Sequence, residues 1–220
     1  MLPIVPQSVV CISREEGAGA EETATRVATA LGYRLFDEDI VTRAALEAGV
    51  DRDVVANVER RRSALSQVIE VVGAASLSGA GYVSPAEAWG RSQPPSDELR
   101  ALILSVIEET ATAGSAVIVA HAASLALAER DDVLRVLITA SPHTRQRRLA
   151  DVSGVDEKAA ARTIKKSDVG RAAYMKRFHN VSDELPIHYD LVINTDKLEP
   201  EHAARLIVHA AQGADAAPSG

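Results

Sequence analysis

Apolar residues along this chain fall into two alternating kinds of segment. Short unbroken runs rich in β-branched residues occur at Val9 to Ile12, Ala116 to Ala120, Leu134 to Thr139 and Leu191 to Asn194. Apart from Arg135 and the polar ends, these runs do not alternate with polar residues, which is the pattern of strands covered on both faces. Between them, apolar residues three and four apart predict helices over Glu21 to Leu31, Asp37 to Ala48, Ser96 to Thr112, Pro142 to Asp151, Asp156 to Lys166 and Pro200 to Ala211. Strand and helix in turn predict an α/β fold with a central parallel sheet.

Two stretches interrupt the alternation. Residues 51–95 hold a charged helical piece ending in Glu59-Arg60-Arg61-Arg62, an apolar helix around Val68 to Ala75, and a Gly-, Ser- and Pro-rich run containing Tyr82 and Trp89. This segment has the character of an insertion with a mobile loop. The second stretch, Lys165 to Pro186, gathers Lys165, Lys166, Arg171, Lys176, Arg177 and His179 into a basic patch. From Gln212 onward, QGADAAPSG has the composition of a disordered tail, so residues 1–211 are expected to form one domain.

Composition narrows the function classes. A formal charge of -7 speaks against general nucleic-acid binding, while leaving room for a local cationic pocket. Aromatics make up only 3% of the chain, so the core falls to Ala, Val, Leu and Ile. The lone cysteine, Cys11, lies in the first apolar run, where it acts as a small hydrophobe and can form no intramolecular disulfide. No basic leader with a long apolar run is visible, and no stretch approaches the ~20 apolar residues of a membrane span. The expectation is a cytoplasmic protein without membrane attachment.

The segment Val9 to Phe36 carries the first candidate chemistry: apolar strand, glycine-containing turn, amphipathic helix. That order can hold a phosphate on a helix N-terminus. Aligned on the strand and helix, the pattern GxxxxGK[ST] begins at Arg14 and puts Gly19, Ala20 and Glu21 where Gly, Lys and Ser/Thr belong. Gly17 and Gly19 still permit close approach of backbone N–H groups to an anion. Glu21 and Glu22 open the helix, where the macrodipole favours a carboxylate but a phosphate is repelled. Taken alone, the loop fits an ordinary β-turn-α corner equally well. Gly17-Ala18-Gly19, with Asp37 about 20 residues on, also matches part of the dinucleotide fingerprint, with Glu22 in place of its third glycine.

After the run Leu134 to Thr139 come Arg145, Arg147 and Arg148. Singly, Arg147 and Arg148 suit a solvated helix face. Together with the downstream basic patch, they suit phosphoryl transfer, which is catalysed mainly by positioning and by cations around the transferring oxygens.

Over Val9 to Ile207 the order of motifs resembles the cytidylate kinase-like family within the nucleoside monophosphate kinase group. The motifs are ISREEGAGAEETATRVATALGYRLFDEDIV, VLRVLITASPHTRQRRL, IKKSDVGRAAYMKRF and HYDLVINTDKL. The resemblance implies a three-layer P-loop kinase-like fold with a helical insertion at about 51–95 of the kind that binds a nucleoside monophosphate, and a lid at about 165–186. It implies ATP and Mg²⁺ as cofactors and a nucleoside monophosphate such as CMP as acceptor. Arg14, Gly17, Ala18, Gly19, Ala20, Glu21 and Glu22 would lie at the donor phosphates. Asp37, His121 and Arg148 would serve the acceptor, and Arg171, Arg145 and Asp168 the transfer, with Tyr174 packing the lid helix. No metal ligand is singled out.

This chain departs from the family's pattern at Glu21, where a basic residue is usual, and at His121, which replaces the arginine of a Gly-Arg-Gly-like turn. An imidazole lacks the permanent charge and bidentate fork of a guanidinium. The leading expectation is therefore a small-molecule kinase. The alternative is a nucleotide-binding regulator or scaffold that has lost transfer and uses residues 60–95 as a partner surface. A dinucleotide enzyme ranks below both. The apolar face of Ser96 to Thr112 leaves a homodimer open.

Overall fold

The computed structural model describes residues 7–37, 97–120 and 122–213. The helix expected after Asp37, the insertion at 51–95 with Tyr82 and Trp89, His121 and the chain beyond 213 lie outside these residues.

Among the described residues, five strands and six α-helices follow one another as β1 (Val9–Arg14), α1 (Ala20–Leu31), β2 (Arg34–Asp37), α2 (Asp97–Ala113), β3 (Ala116–Val119), α3 (Ala123–Ala126), β4 (Val133–Thr139), α4 (Pro142–Ser153), α5 (Glu157–His179), β5 (Leu191–Asn194) and α6 (Pro200–Gln212). All strand pairs are parallel, in the order β2-β3-β1-β4-β5. The continuous apolar runs are explained by this arrangement: β1, in the middle, is buried along its whole length.

Alternate residues of β1 face opposite layers. Val9 and Cys11 join Phe36, Ile118 and the α2 residues Ile103, Val106 and Ile107 in one core. Val10 and Ile12 join Ala24 and Val27 of α1 and Ala203 and Ile207 of α6 in the other. The fold is thus three layers, helices on both faces of a parallel sheet, with Ile12 among the largest fully buried side chains. Truncating such a side chain to Ala costs about 2–5 kcal/mol.

Three expectations change. Asp37 does not open a helix; it is the last residue of β2, a strand recognisable only by its parallel pairing to β3. The helix expected to stop at Lys166 runs on through the basic patch to His179, so the segment expected to form a lid begins inside α5, whose buried residues are Ala160, Ile164, Arg171 and Met175. Finally, α6 includes Gln212, one residue into the stretch assigned to the tail.

Helix ends follow local chemistry. Ser141 caps α4 and Asp156 caps α5, each accepting from a backbone N–H three residues on, and Pro142 occupies the first turn of α4. α1 has no such cap: its N-cap is Gly19, which has no side chain to offer the first N–H groups. Among the described residues no helix is long and apolar enough to cross a membrane.

Candidate functional site

The register Arg14 to Ile138, Asp37 to Val119 and Thr139 to Asn194 brings the carboxyl ends of the strands to one edge of the sheet. In open parallel sheets ligands bind outside that edge, where connections leave β1 in opposite directions. Here that place is filled by the loop Glu15 to Gly19 and the uncapped start of α1.

The loop is built on two left-handed glycines, Gly17 with φ 79° and Gly19 with φ 80°. Glu16 and Ala18 keep negative φ, so handedness alternates along the loop. This alternation is the handedness of an anion nest, but the Ala18 N–H closes a turn onto the Glu15 carbonyl at 3.0 Å, so the loop's donors for an anion are the N–H groups of Gly17 and Gly19. The loop is also packed tightly: a Cβ on Gly17 would come within 2.5 Å of the Arg145 carbonyl oxygen.

Three guanidinium groups hold the loop through alternate carbonyls. Arg171 Nη1 donates to the Arg14 carbonyl, Arg145 Nε donates to that of Glu16 at 2.7 Å, and Arg148 Nη1 donates to that of Ala18 at 3.2 Å. Arg145 and Arg171 are buried, at 4% and 6% exposure. Thus helices α4 and α5, far apart in sequence from the loop, fix its backbone.

Each buried cation has carboxylate partners, as burial of charge requires. Arg145 makes a bidentate pair with Asp168 at 2.6 and 3.1 Å and lies 3.6 Å from Glu15. Glu15 in turn accepts from Thr139 Oγ1 at 2.6 Å. Arg171 is paired through Nε at 2.7 Å and through Nη2 with Glu184, which also accepts from the Tyr189 hydroxyl. Arg14 bridges Glu16 at 3.2 Å and Glu21 at 3.0 Å.

The structure therefore assembles Arg14, Gly17, Ala18, Gly19, Ala20, Glu21, Arg145, Arg148, Asp168 and Arg171 around one loop. Glu22 points elsewhere, pairing with Arg26 along the exposed face of α1 at 2.7 Å. Asp37 stands two strands away from β1, roughly 10 Å at ~4.8 Å per strand. Arg147 is exposed, as a solvated helix face predicts.

Sequence reasoning missed Glu15, Glu16, Thr139, Glu184, Tyr189 and Thr195. Thr195 sits just after β5, and its hydroxyl donates to the Ala18 carbonyl at 2.7 Å while accepting from Arg148 at 2.9 Å. Its neighbour Asp196 accepts from Thr144 and from the Ser141 N–H, bonds that hold its carboxyl below the ordinary range and tie the end of β5 to the start of α4. The NT-x-x-L ending was the available signal for Thr195; nothing of that kind pointed to Glu184.

The pairing of β1 with β3 and β4 also bears on the dinucleotide alternative. That fold places β2 beside β1, so that the acid ending β2 reaches the ribose next to the glycine loop. Here β3 intervenes.

Comparison with known proteins agrees with the fold. The crystal structure of an uncharacterized protein from Eubacterium ventriosum superposes with a TM-score of 0.66 at 20% identity, covering 93% of this chain and 98% of that one. Shikimate kinase from Bacteroides thetaiotaomicron aligns with a TM-score of 0.47 at 14% identity, over 93% and 95% of the two chains. No curated protein matches. The model of the cytidylate kinase-like family matches residues 9–197, nearly the whole α/β frame together with the loop and its arginines, and the chain belongs to that family.

Proposed function

We propose that this protein is a nucleotide kinase that moves the γ-phosphoryl group of ATP to the phosphate of a nucleoside monophosphate such as CMP. The observation that carries this reading is the alternating-hand loop at the uncapped start of α1, with its carbonyls engaged by arginines and its glycine N–H groups left to face an anion.

ATP fits this site through its phosphates. The chain lacks the P-loop Lys, Ala20 standing there, but Arg14, Arg145 and Arg171 bring permanent charge to the same loop. Mg²⁺ fits a donor set of one carboxylate plus phosphate oxygens, which that ion prefers to an all-protein cage. Glu21 stands where the hydroxyl ligand of a P-loop would be and is the carboxylate that would hold the ion, whose charge would offset the repulsion between Glu21 and the phosphates. Among the described residues no three His, Cys, Asp or Glu converge on a metal site. When bound, the ion neutralises charge on the β and γ phosphates.

The acceptor phosphate is already an anion, so its oxygen needs no general base. A bond forms from that oxygen to Pγ as the bond from Pγ to the bridging oxygen breaks, and ADP leaves. The chain's own residues position and neutralise: the loop cradles the donor phosphates, and Arg145 and Arg171 face the transferring oxygens. Asp168 orients Arg145 through its bidentate pair. Asp37 and His121 are assigned to the acceptor side, and Arg148 to the donor loop, whose Ala18 carbonyl it holds.

A second reading, a nucleotide-binding regulator, is favoured by one observation: Arg145 and Arg171 are already satisfied by Asp168 and Glu184. Calorimetric titration with ATP-Mg²⁺ and then CMP, followed by a transfer assay on the same sample, separates the two. Binding with turnover supports the kinase. Binding without turnover supports the regulator, and absence of nucleotide binding rejects both.

A further inference from the structure

We propose that Thr195, acting with Arg148, is a positioning residue that locks the Gly17–Gly19 loop in its phosphate-receptive shape. This rests on the kinase reading of the loop and names a residue which that reading does not include.

Thr195 lies immediately after β5 and is 2% exposed. Its backbone is fixed first: the Thr195 N–H donates to the Thr139 carbonyl at 2.9 Å, extending the β4–β5 ladder by one residue. That places the side chain beneath the loop. The hydroxyl has a single proton, and its shortest contact is to the Ala18 carbonyl at 2.7 Å. Its lone pairs accept from Arg148 Nη1 at 2.9 Å. Arg148 also donates through Nη2 to the Thr195 carbonyl at 2.7 Å and through Nη1 to the Ala18 carbonyl at 3.2 Å.

Ala18 is the residue between the two left-handed glycines. Glycine adopts either hand readily, so a Gly-Ala-Gly loop does not choose the alternating conformation by itself. Orientation of the single peptide Ala18–Gly19 decides whether the Gly19 N–H enters the concavity, because its carbonyl must then point the opposite way. Two donors on that carbonyl, one from a strand end and one from α4, fix the orientation before any ligand arrives. Preorganisation of this kind raises affinity by removing the ordering cost from the binding step.

A hydroxyl is the suitable group here. It donates to Ala18 while accepting from Arg148, so neither the carbonyl nor the guanidinium is left unpaired in a buried place. Valine has the same shape and can do neither. Serine can do both.

The test uses the full chain and its Thr195→Val, Thr195→Ser and Arg148→Met variants. Hydrogen exchange is read at the amides of residues 15–21, and affinities are measured for ATP-Mg²⁺ and for adenosine. Thr195→Val is expected to speed exchange of the loop amides about tenfold or more and to weaken ATP-Mg²⁺ about tenfold while leaving adenosine unchanged; Thr195→Ser should match the parent. Arg148 is only half-buried, so Arg148→Met reports on the same lock even where Thr195→Val does not fold. Loop exchange unchanged in Thr195→Val, or in Arg148→Met where the former does not fold, overturns the proposal. So does an equal loss of ATP and adenosine binding, which would mark general destabilisation. A parent protein that binds no ATP-Mg²⁺ overturns the kinase reading, and with it the phosphate role of Thr195, and is distinguished by failing before any variant is compared.

Discussion

The carbonyl oxygen of Arg145 lies 2.5 Å from the place a Cβ on Gly17 would occupy. Gly17 is therefore required twice, once by its φ of 79° and once by the backbone of α4 pressed against it. Gly19 has the same handedness, but its nearest neighbour would be the Arg148 guanidinium at 3.6 Å, an ordinary contact. Gly17→Ala should cost about 2–5 kcal/mol, from left-handed strain of ~1–2 and overpacking of ~1–3. Gly19→Ala should cost only the strain. Thermal melts of the two variants check this, with Tm for Gly17→Ala expected several degrees lower than for Gly19→Ala; equal melting points would mean that α4 yields.

The pair Arg145–Asp168 is asymmetric. Arg145 has 5% of its side chain exposed and Asp168 44%. Removing the arginine strips the Glu16 carbonyl of its donor inside the protein, so Arg145→Ala should cost about 1–3 kcal/mol. Asp168→Asn keeps an acceptor at a half-exposed position and leaves the Glu15 carboxylate 3.6 Å from the guanidinium, so it should cost ~1 kcal/mol or less. Urea unfolding of both variants decides, and similar losses would contradict the burial argument.

The sequence displayed those parts of the fold in which each residue's neighbours are its own kind. β1 is buried on both faces and reads as an apolar run; α1 shows Ala20, Ala24, Val27 and Ala28 at helical spacing. β2 was missed because Arg34-Leu35-Phe36-Asp37 has only two apolar residues, and its identity comes from pairing with β3. At the site, the cations were visible as a cluster of arginines. Of their carboxylate partners, Asp168 and Glu21 were named through the family resemblance but Glu15, Glu16 and Glu184 were not, because Arg171 meets Glu184 and Thr195 meets Ala18 through topology, across 13 and 177 positions with no fixed spacing.

Asp132 links the starts of β1 and β4. Arg130 donates to both of its carboxylate oxygens, at 2.8 and 3.0 Å, and the Ser8 hydroxyl donates at 2.6 Å. The Arg130 bonds first, then that of Ser8, hold this carboxyl below its usual range. A depressed carboxyl contributes stability above the ordinary pKa of ~3.9 and loses it as pH falls through the folded-state value. Both side chains are about one-third exposed, so the contribution is at most ~1 kcal/mol. The stability difference between the parent and Asp132→Asn should therefore shrink as pH is lowered from 5 toward 3. A difference that stays constant with pH would assign the effect to packing.

Cys11 is fully buried in the central strand, and burial, opposed by the charge of Arg135, pushes its thiol up to about 12. Thiolate is the reactive form, so the folded protein should resist alkylation at pH 8 and react ~100-fold or more faster once unfolded. Mass spectrometry after timed iodoacetamide exposure measures this. Rapid labelling of the folded state would show that β1 opens.

Glu184 occupies Arg171 in the way a phosphate would, with two carboxylate oxygens on Nε and Nη2 of one guanidinium. The Tyr189 hydroxyl supports that carboxylate from the other side. Glu184→Gln preserves size and one acceptor oxygen but removes the negative charge. A buried guanidinium then loses this carboxylate, and stability should fall by about 2–4 kcal/mol, somewhat below the loss for a fully buried pair because Glu184 is 21% exposed. The same change makes Arg171 a stronger anion receptor, so affinity for inorganic pyrophosphate or ATP-Mg²⁺ should rise severalfold while the protein becomes less stable. Opposite signs in the two measurements are the diagnostic outcome. If both fall together, Glu184 serves only the fold, and Arg171 has no part in holding phosphate.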